Sequence, residues 1–295
     1  MERRFADPAH FRASVDERLR IYARKTGTPL TVVRRQAALE RLIVRLGRAA
    51  PNRWALKGGL ALDTRLGGRA RASMDMDADH VQGAKAARAD LLAATEVDLG
   101  DYFEFAITGS RGLREGDLDL ATRFRLECSV GGVRFEVLQA DVTLAPPDVW
   151  EVERAQRPGL LASVGLGPID VLLVPLERQV AEKLHAYTRT YGEGRGSTRV
   201  RDLVDFLLIR TFERVDAQRL RDAIQRTFEN RATHPVPGRV PPPPGDWQRA
   251  YRVEAERVGI TSEVTEAHRL VGAWLDVVLG ETAEGTWNPE QGIWE

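Results

Sequence analysis

The chain has 295 residues, 43% of them hydrophobic, which suits one large domain or two ordinary ones with a real core. Lys plus Arg and Asp plus Glu both number 43, so the net charge is zero; that excludes a histone-like or tail-driven nucleic-acid binder and leaves local patches open. The one cysteine, Cys128, excludes an internal disulfide framework and a cysteine-rich zinc site, and in its strand-like run it reads as a small core residue.

The opening MERRFADPAHFRAS lacks the apolar run of a secretion signal, and no stretch approaches the ~20 apolar residues of a membrane helix. The expectation is a cytoplasmic chain with no membrane partner. SVDERLRIYARKTG and TPLTVVRRQAALERLIVRLGRAAP predict amphipathic helices; in the second, Val33, Ala37, Leu42 and Leu46 approximate a stripe that ends at Pro51. RWAL predicts a short strand, Lys57-Gly58-Gly59 a turn, and LALDTRL a short helix stopped by Gly67-Gly68. ARASMDMDADHV alternates as a strand does, and AKAARADLLAATEVDLG is helical. FEFAITGS, TRFRLECSVGGVRFEVLQADVTL and GLLASVG carry strand signals, with VGGV as a hairpin turn.

After Pro168 the texture changes. PLERQVAEKLHAYTRTY, TRVRDLVDFLLIRTF, DAQRLRDAIQRTFENRAT and SEVTEAHRLVGAWLDVVLG predict helices, and HPVPGRVPPPPGDW a stiff linker or surface strap. The expected organisation is an α/β (α+β) half with N-terminal helices, residues 1–165, followed by a mainly helical half, residues 166–295, without internal repeats.

The chemistry concentrates between Leu56 and Asp79. On a strand, residues two apart share a face, so Asp75, Asp77 and Asp79 can line up. Paired carboxylates suit Mg²⁺ (or Mn²⁺), which takes oxygen ligands and shares the phosphates of a bound nucleotide. A lone acidic repeat is more often an exposed edge. The preceding Gly58 and Gly59 sit where a strand passes into a helix, the place where backbone N–H groups converge on phosphate. The pattern is neither a Walker A loop nor a dinucleotide fingerprint. A further metal carboxylate from a neighbouring strand is expected, and VRFEVLQADV offers Glu136 and Asp141; Glu136 alternates with the apolar Phe135 and Val137 and is taken as the third ligand. Later, Lys183 in VAEKLHAYTRT suits a triphosphate, and Asp202 and Asp205 share one helix face; surface ion pairing is the plain alternative. His185 reads as structural, having no partner histidine at a ligand spacing.

Together LKGGLAL, SMDMDAD, a later strand carboxylate, EKLHA and RVRDLVDFLLI resemble the AbiEii/AbiGii toxin family, minimal nucleotidyltransferases of the polymerase-β-like superfamily that include the MenT-like toxins. The resemblance implies a polymerase-β-like core with a mixed sheet, followed by a helical lobe that completes the active site in a bi-globular molecule. It implies a toxin of a type IV-like toxin–antitoxin pair that transfers a nucleoside monophosphate from an NTP to RNA, with the tRNA 3′ end as acceptor, blocking aminoacylation and translation. A cognate antitoxin is the implied partner. Residue by residue, it implies Gly58 and Gly59 as the phosphate turn with Lys57 beside them, and Asp75 and Asp77 as the metal pair. It gives Lys183 and Asp205 further catalytic roles, with Asp202 competing for the second, and makes Ser73 a nucleotide-site residue and regulatory phosphosite. The superfamily's usual Gly-Ser pair is Gly-Gly here, so the backbone and Lys57 must supply the missing hydroxyl contact. RNA is expected on Arg65, Arg69 and Arg71 and on Arg195, Arg199 and Arg201. Two rival readings remain open: transfer of a nucleotide or phosphate to a protein hydroxyl, and an inert nucleotide-binding module.

Overall fold

The structure, a computed structural model, describes residues 7–115, 118–144, 151–189 and 199–295. The chain forms two compact units, one of residues 1–68 and 72–174, the other of residues 69–71 and 175–295. The division therefore falls at 174/175, not at the expected 165/166, because the segment just after Pro168 is a strand of the first unit's sheet.

Unit 1 opens with α1 (Pro8–Thr26). Asp7 caps it by accepting from the Ala9 backbone N–H at 2.8 Å, Pro8 occupies the first turn, and Gly27 closes it in the left-handed region. There follow α2 (Leu30–Ala49), β1 (Trp54–Lys57), α3 (Gly58–Leu66), β2 (Met76–His80), α4 (Gly83–Thr95), β3 (Phe103–Glu115), β4 (Leu118–Val130), β5 (Val133–Leu144), β6 (Glu153–Arg157) and β7 (Ile169–Leu173). The seven strands form one mixed sheet in the order β3-β4-β5-β2-β1-β7-β6. β2 runs parallel to β5 and antiparallel to β1, and β1 runs parallel to β7.

Strand alternation sorts the side chains. Phe124, Leu126, Cys128 and Val130 of β4 and Leu138, Ala140 and Val142 of β5 are buried with Leu39, Leu42 and Leu46 of α2, so one face of the sheet packs on helices. Cys128 is a core residue, as expected, and burial pushes its thiol well above the ordinary range. Buried ion pairs tie elements of this unit together. Arg41 and Arg45 of α2 donate to Asp101 at 2.7 and 2.6 Å. Arg157 of β6 reaches both Glu40 of α2, at 3.1 Å, and Asp63 of α3, at 3.2 Å.

Two readings of the sequence change. GLLASVG is not a strand: Ala162–Val164 is a single 3-10 turn closed by Gly165 at φ 90. Leu161 and Val164, three apart, are its buried pair, which is the period of that turn and not of a strand. The strands β6 and β7 were not anticipated.

Unit 2 contains α5 (Leu176–Thr188), α6 (Val200–Phe212), β8 (Val215–Asp216), α7 (Ala217–Arg231), α8 (Trp247–Val258), α9 (Val264–Leu279), β9 (Thr286–Asn288) and β10 (Ile293–Trp294). The expected helices are present. α8 was passed over, although Trp247, Tyr251 and Ala255 form its buried stripe. The proline-rich stretch is a strap on this unit: Tyr187 donates to the Pro241 carbonyl at 3.1 Å, and the Val240 N–H donates to Asp276 at 2.9 Å. Among the described residues no helix is long and apolar enough to cross a membrane.

Candidate active site

The site in unit 1 begins at the junction of β1 and α3. Gly58 adopts φ 63, and a Cβ placed on it would lie 3.0 Å from Cγ of Asp77. Only glycine lets the helix start that close to the carboxylate. Lys57 holds the N-cap position and supplies no side-chain cap. Its ammonium lies 2.8 Å from Asp79, which is fully buried, so lysine and third aspartate of the repeat neutralise each other. Gly59 is buried in the first turn of α3.

Register places the remaining charges. Lys57 is the Cα partner of Asp77, Asp77 of Asp141, Asp141 of Arg123, and Arg123 of Arg111. These five residues form one row across β1, β2, β5, β4 and β3. Their strand neighbours Leu56, Met76, Ala140 and Phe124 belong to the core, so the row lies on the face opposite the helices. Arg123 Nε donates to Asp141 at 2.6 Å and its Nη2 donates to the second carboxylate oxygen. The hydrogen bonds to Asp141, then the charges of Asp141, Asp75 and Asp77, hold the Arg123 guanidinium above its ordinary pKa against desolvation.

Several expected residues are placed differently. Asp75 precedes β2 and is not on the strand; Asp77 and Asp79 are. Ser73 also precedes the strand, is only 6% exposed, and donates its hydroxyl to the Asp75 carbonyl at 2.9 Å. A strand-borne hydroxyl facing the carboxylates, as expected for a phosphosite, is not what this segment presents. Glu136 is a clear correction. It shares a side of β5 with Leu138, Ala140 and Val142, and sits 3.7 Å from Arg34 and 3.8 Å from Arg35 of α2. Five residues along the strand from Asp141, it is about 17 Å away and on the wrong face. Asp141, the other carboxylate of the same stretch, is the one beside Asp77.

Among the described residues no three Asp, Glu, His or Cys side chains gather closely enough to cage a metal ion. The donor set nevertheless fits a hard divalent cation: Asp77 and Asp141 are level on adjacent strands, and Asp75 is near enough to act on the same guanidinium. Mg²⁺ commonly uses one or two carboxylates and completes its shell with water and substrate phosphate.

In unit 2, α5 and α6 bring together Lys183, Asp202 and Asp205. Lys183 Nζ donates to Asp202 at 3.0 Å and to Asp205 at 2.7 Å. Arg71 donates to both oxygens of Asp205, each at 3.2 Å. Burial works against the Lys183 ammonium, but the Asp202 and Asp205 charges outweigh it and raise its pKa. Burial likewise works against Asp205, and the Lys183 and Arg71 charges hold its pKa below the usual carboxylate range. Asp202 and Asp205 both hold the lysine, so the two carboxylates act together here.

The arginines expected on RNA divide. The Arg65 side chain is only 7% exposed and donates to Glu153 and to the Val174 carbonyl, which leaves it little surface for a ligand. Arg71 is committed to Asp205. Arg69 stacks over Phe212 at 5.0 Å. Arg199 and Arg201 are exposed, paired with Asp202 at 3.6 Å and Glu254 at 3.1 Å. Arg195 lies outside the described residues. His185 is structural, donating from or accepting at Nε2 with Thr233 at 2.8 Å.

No curated protein matches the chain. In fold it is similar to MenT4, a nucleotidyltransferase toxin from Mycobacterium tuberculosis H37Rv, with a TM-score of 0.55, 18% identity, and coverage of 90% of this chain and 98% of that one. At this identity the likeness concerns the fold. The model of the nucleotidyl transferase AbiEii toxin of type IV toxin–antitoxin systems matches residues 41–264, a span that includes the glycine turn, Asp75, Asp77, Asp141, Lys183 and Asp205. With most of its length matched, the chain belongs to the AbiEii family of nucleotidyltransferase toxins.

Proposed function

We propose that the protein transfers a nucleoside monophosphate from an NTP to RNA, with the 3′ end of tRNA as acceptor, and that a divalent cation, Mg²⁺ or Mn²⁺, serves the reaction. The observation that carries this reading is the pairing of Asp77 with Asp141 beside the Gly58 turn. A glycine-opened helix start suits the phosphates of the nucleotide, and adjacent carboxylates suit the cation that accompanies them. The acceptor hydroxyl oxygen bonds to the α-phosphorus, the bond to the β-phosphate bridge breaks, and pyrophosphate leaves; the hydroxyl proton passes to water.

In this reading Asp75, Asp77 and Asp141 would hold the cation, which when bound would neutralise the phosphates and the attacking oxygen. Gly58 and Gly59 offer backbone N–H groups to phosphate. Lys57 keeps Asp79 neutralised, so that Asp77 faces the ligand without a buried, uncompensated neighbour. Ser73 positions the Asp75 backbone through its carbonyl. In unit 2, Lys183 is assigned to the triphosphate, and Asp202 and Asp205 keep its ammonium charged. The biological setting is a toxin restrained by a cognate antitoxin.

The test is incubation with Mg²⁺, each labelled NTP in turn, and either tRNA or total protein. Label in tRNA is expected. Label in protein alone supports the rival acceptor, and no label with any acceptor sinks the enzymatic reading. Asp77→Asn should cut transfer by about a hundredfold or more while leaving the unfolding midpoint near that of wild type.

A further inference from the structure

The charged row that crosses the sheet does not stop at the acid pair. Beyond Asp141 it continues through Arg123 to Arg111, and one step along β4 stands Arg125, on the same face. Neighbouring strands are about 5 Å apart and alternate residues about 7 Å, so these guanidinium groups form a compact patch whose far edge is about 15 Å from Asp77. The surface is open: Ala106, Thr108, Gly109, Arg111 and Arg125 are exposed.

Two details make the patch more than scattered charge. First, the nearby acids of this face have partners of their own: Ser129 donates to Glu104 at 3.0 Å, and Glu127, two residues on from Arg125, has Arg134 at 3.8 Å. Arg111 and Arg123 lie level with Asp77 and Asp141. Second, the Cα partner of Arg125 is Gly109, and a Cβ added there meets nothing within 4 Å. The glycine thus leaves flat open space beside Arg125.

We infer that this face of β3 and β4 is the track for the phosphate backbone of the acceptor RNA, gripped by Arg111 and Arg125, with Arg123 at the border of the carboxylates. The inference rests on the proposed RNA acceptor and names the surface that receives it. Arginine suits the task, because its planar fork engages phosphate oxygens in pairs. A strip of positive charge also offsets the repulsion that Asp75, Asp77 and Asp141 exert on an approaching polyanion. The surface expected from the sequence, around Arg65 and Arg71, lacks this freedom, since both are tied to carboxylates.

The experiment measures tRNA binding by fluorescence anisotropy from about 50 to 200 mM salt, a range over which phosphate contacts are strongly weakened. It uses the wild type, Arg111→Glu/Arg125→Glu, and Gly109→Asp, which adds an opposing charge in open space without touching an arginine. NTP affinity by calorimetry and the thermal midpoint are followed in parallel. Expected are a loss of tRNA affinity of tenfold or more in the double variant, a salt slope shallower by about one or more, a smaller loss in Gly109→Asp, and unchanged NTP affinity. If the double variant does not fold, Gly109→Asp carries the test. Wild-type affinity and slope in folded variants would overturn the inference and leave the RNA reading intact. A wild type that binds no tRNA and labels only protein would overturn the RNA reading, and this inference with it.

Discussion

Each unit buries a cluster of charges, and the two clusters are balanced differently. In unit 2, Asp202 and Asp205 face Lys183 and Arg71, two negative against two positive. In unit 1, Glu40 and Asp63 share one directly paired cation, Arg157, with Arg41 acting more weakly on Glu40. The outcome follows the count. The balanced cluster holds Asp205 below the usual carboxylate range. The unbalanced one does not: burial, only partly opposed by Arg157, pushes Glu40 up to about 7 and raises Asp63 as well. Burial acts to raise Glu40 and Asp205 alike, and the cations packed beside each one set how far that rise is opposed.

The largest expected difference comes from breaking each cluster at a carboxylate. Asp205→Ala leaves Lys183 and Arg71 without their shared partner and should cost about 3–5 kcal/mol in chemical unfolding, with hydrogen exchange accelerated in α5 and α6. Glu40→Gln removes the charge that unit 1 fails to balance, and at pH 8 it should be near neutral or stabilising. Equal losses from both substitutions would show that charge count does not separate the clusters.

A smaller effect sharpens the same contrast through pH. Glu40 is raised in the folded state, so the stability it contributes is fully present below pH about 4.5 and is lost as pH rises through about 7. Wild type should lose about 1–3 kcal/mol relative to Glu40→Gln between these limits. Parallel unfolding curves for the two proteins at pH 5 and pH 8.5 would contradict this.

The smallest effect runs the other way and belongs to unit 2. His185 contacts Thr233 at 2.8 Å, Arg231 at 3.4 Å and the rings of His234 and Phe228, with Glu182 the one nearby acid among the groups acting on it. Burial, then Arg231 and His234, lower its pKa to about 4. The stability it contributes is present above pH about 6.5 and is lost as pH falls through about 4. His185→Gln should flatten the acid limb of the stability profile; an unchanged limb would place the acid sensitivity elsewhere.

Much of the site was legible locally, because glycine turns and alternating acids are short-range patterns. Gly58, Asp75 and Asp77 stand out this way, and the structure brings Gly58 against Asp77. Between Glu136 and Asp141 the sequence favoured the wrong neighbour for Asp77, because strand parity says which residues share a face but not which face is the core; Cys128, the Cα partner of Glu136, puts that residue on the helix side. Arg65 was misread because its partners, Glu153 and the Val174 carbonyl, are remote in sequence. The same distance hid β6 and β7, whose short runs join a sheet completed by β1, and it hid Arg111 and Arg123, ordinary basic residues until register sets them level with Asp141 and Asp77. Helices with a full apolar stripe, such as α2 and α9, needed no distant partner to be read.

The transverse row is also an accuracy check on assembly. Its five members come from five strands and meet only if every pairing has the right register. A slip of one residue on β5 would turn Asp141 inward and bring Ala140 out, leaving each residue intact and the row broken. A partly made or misaligned chain therefore lacks the row, even though the glycine turn and the first aspartates are already present.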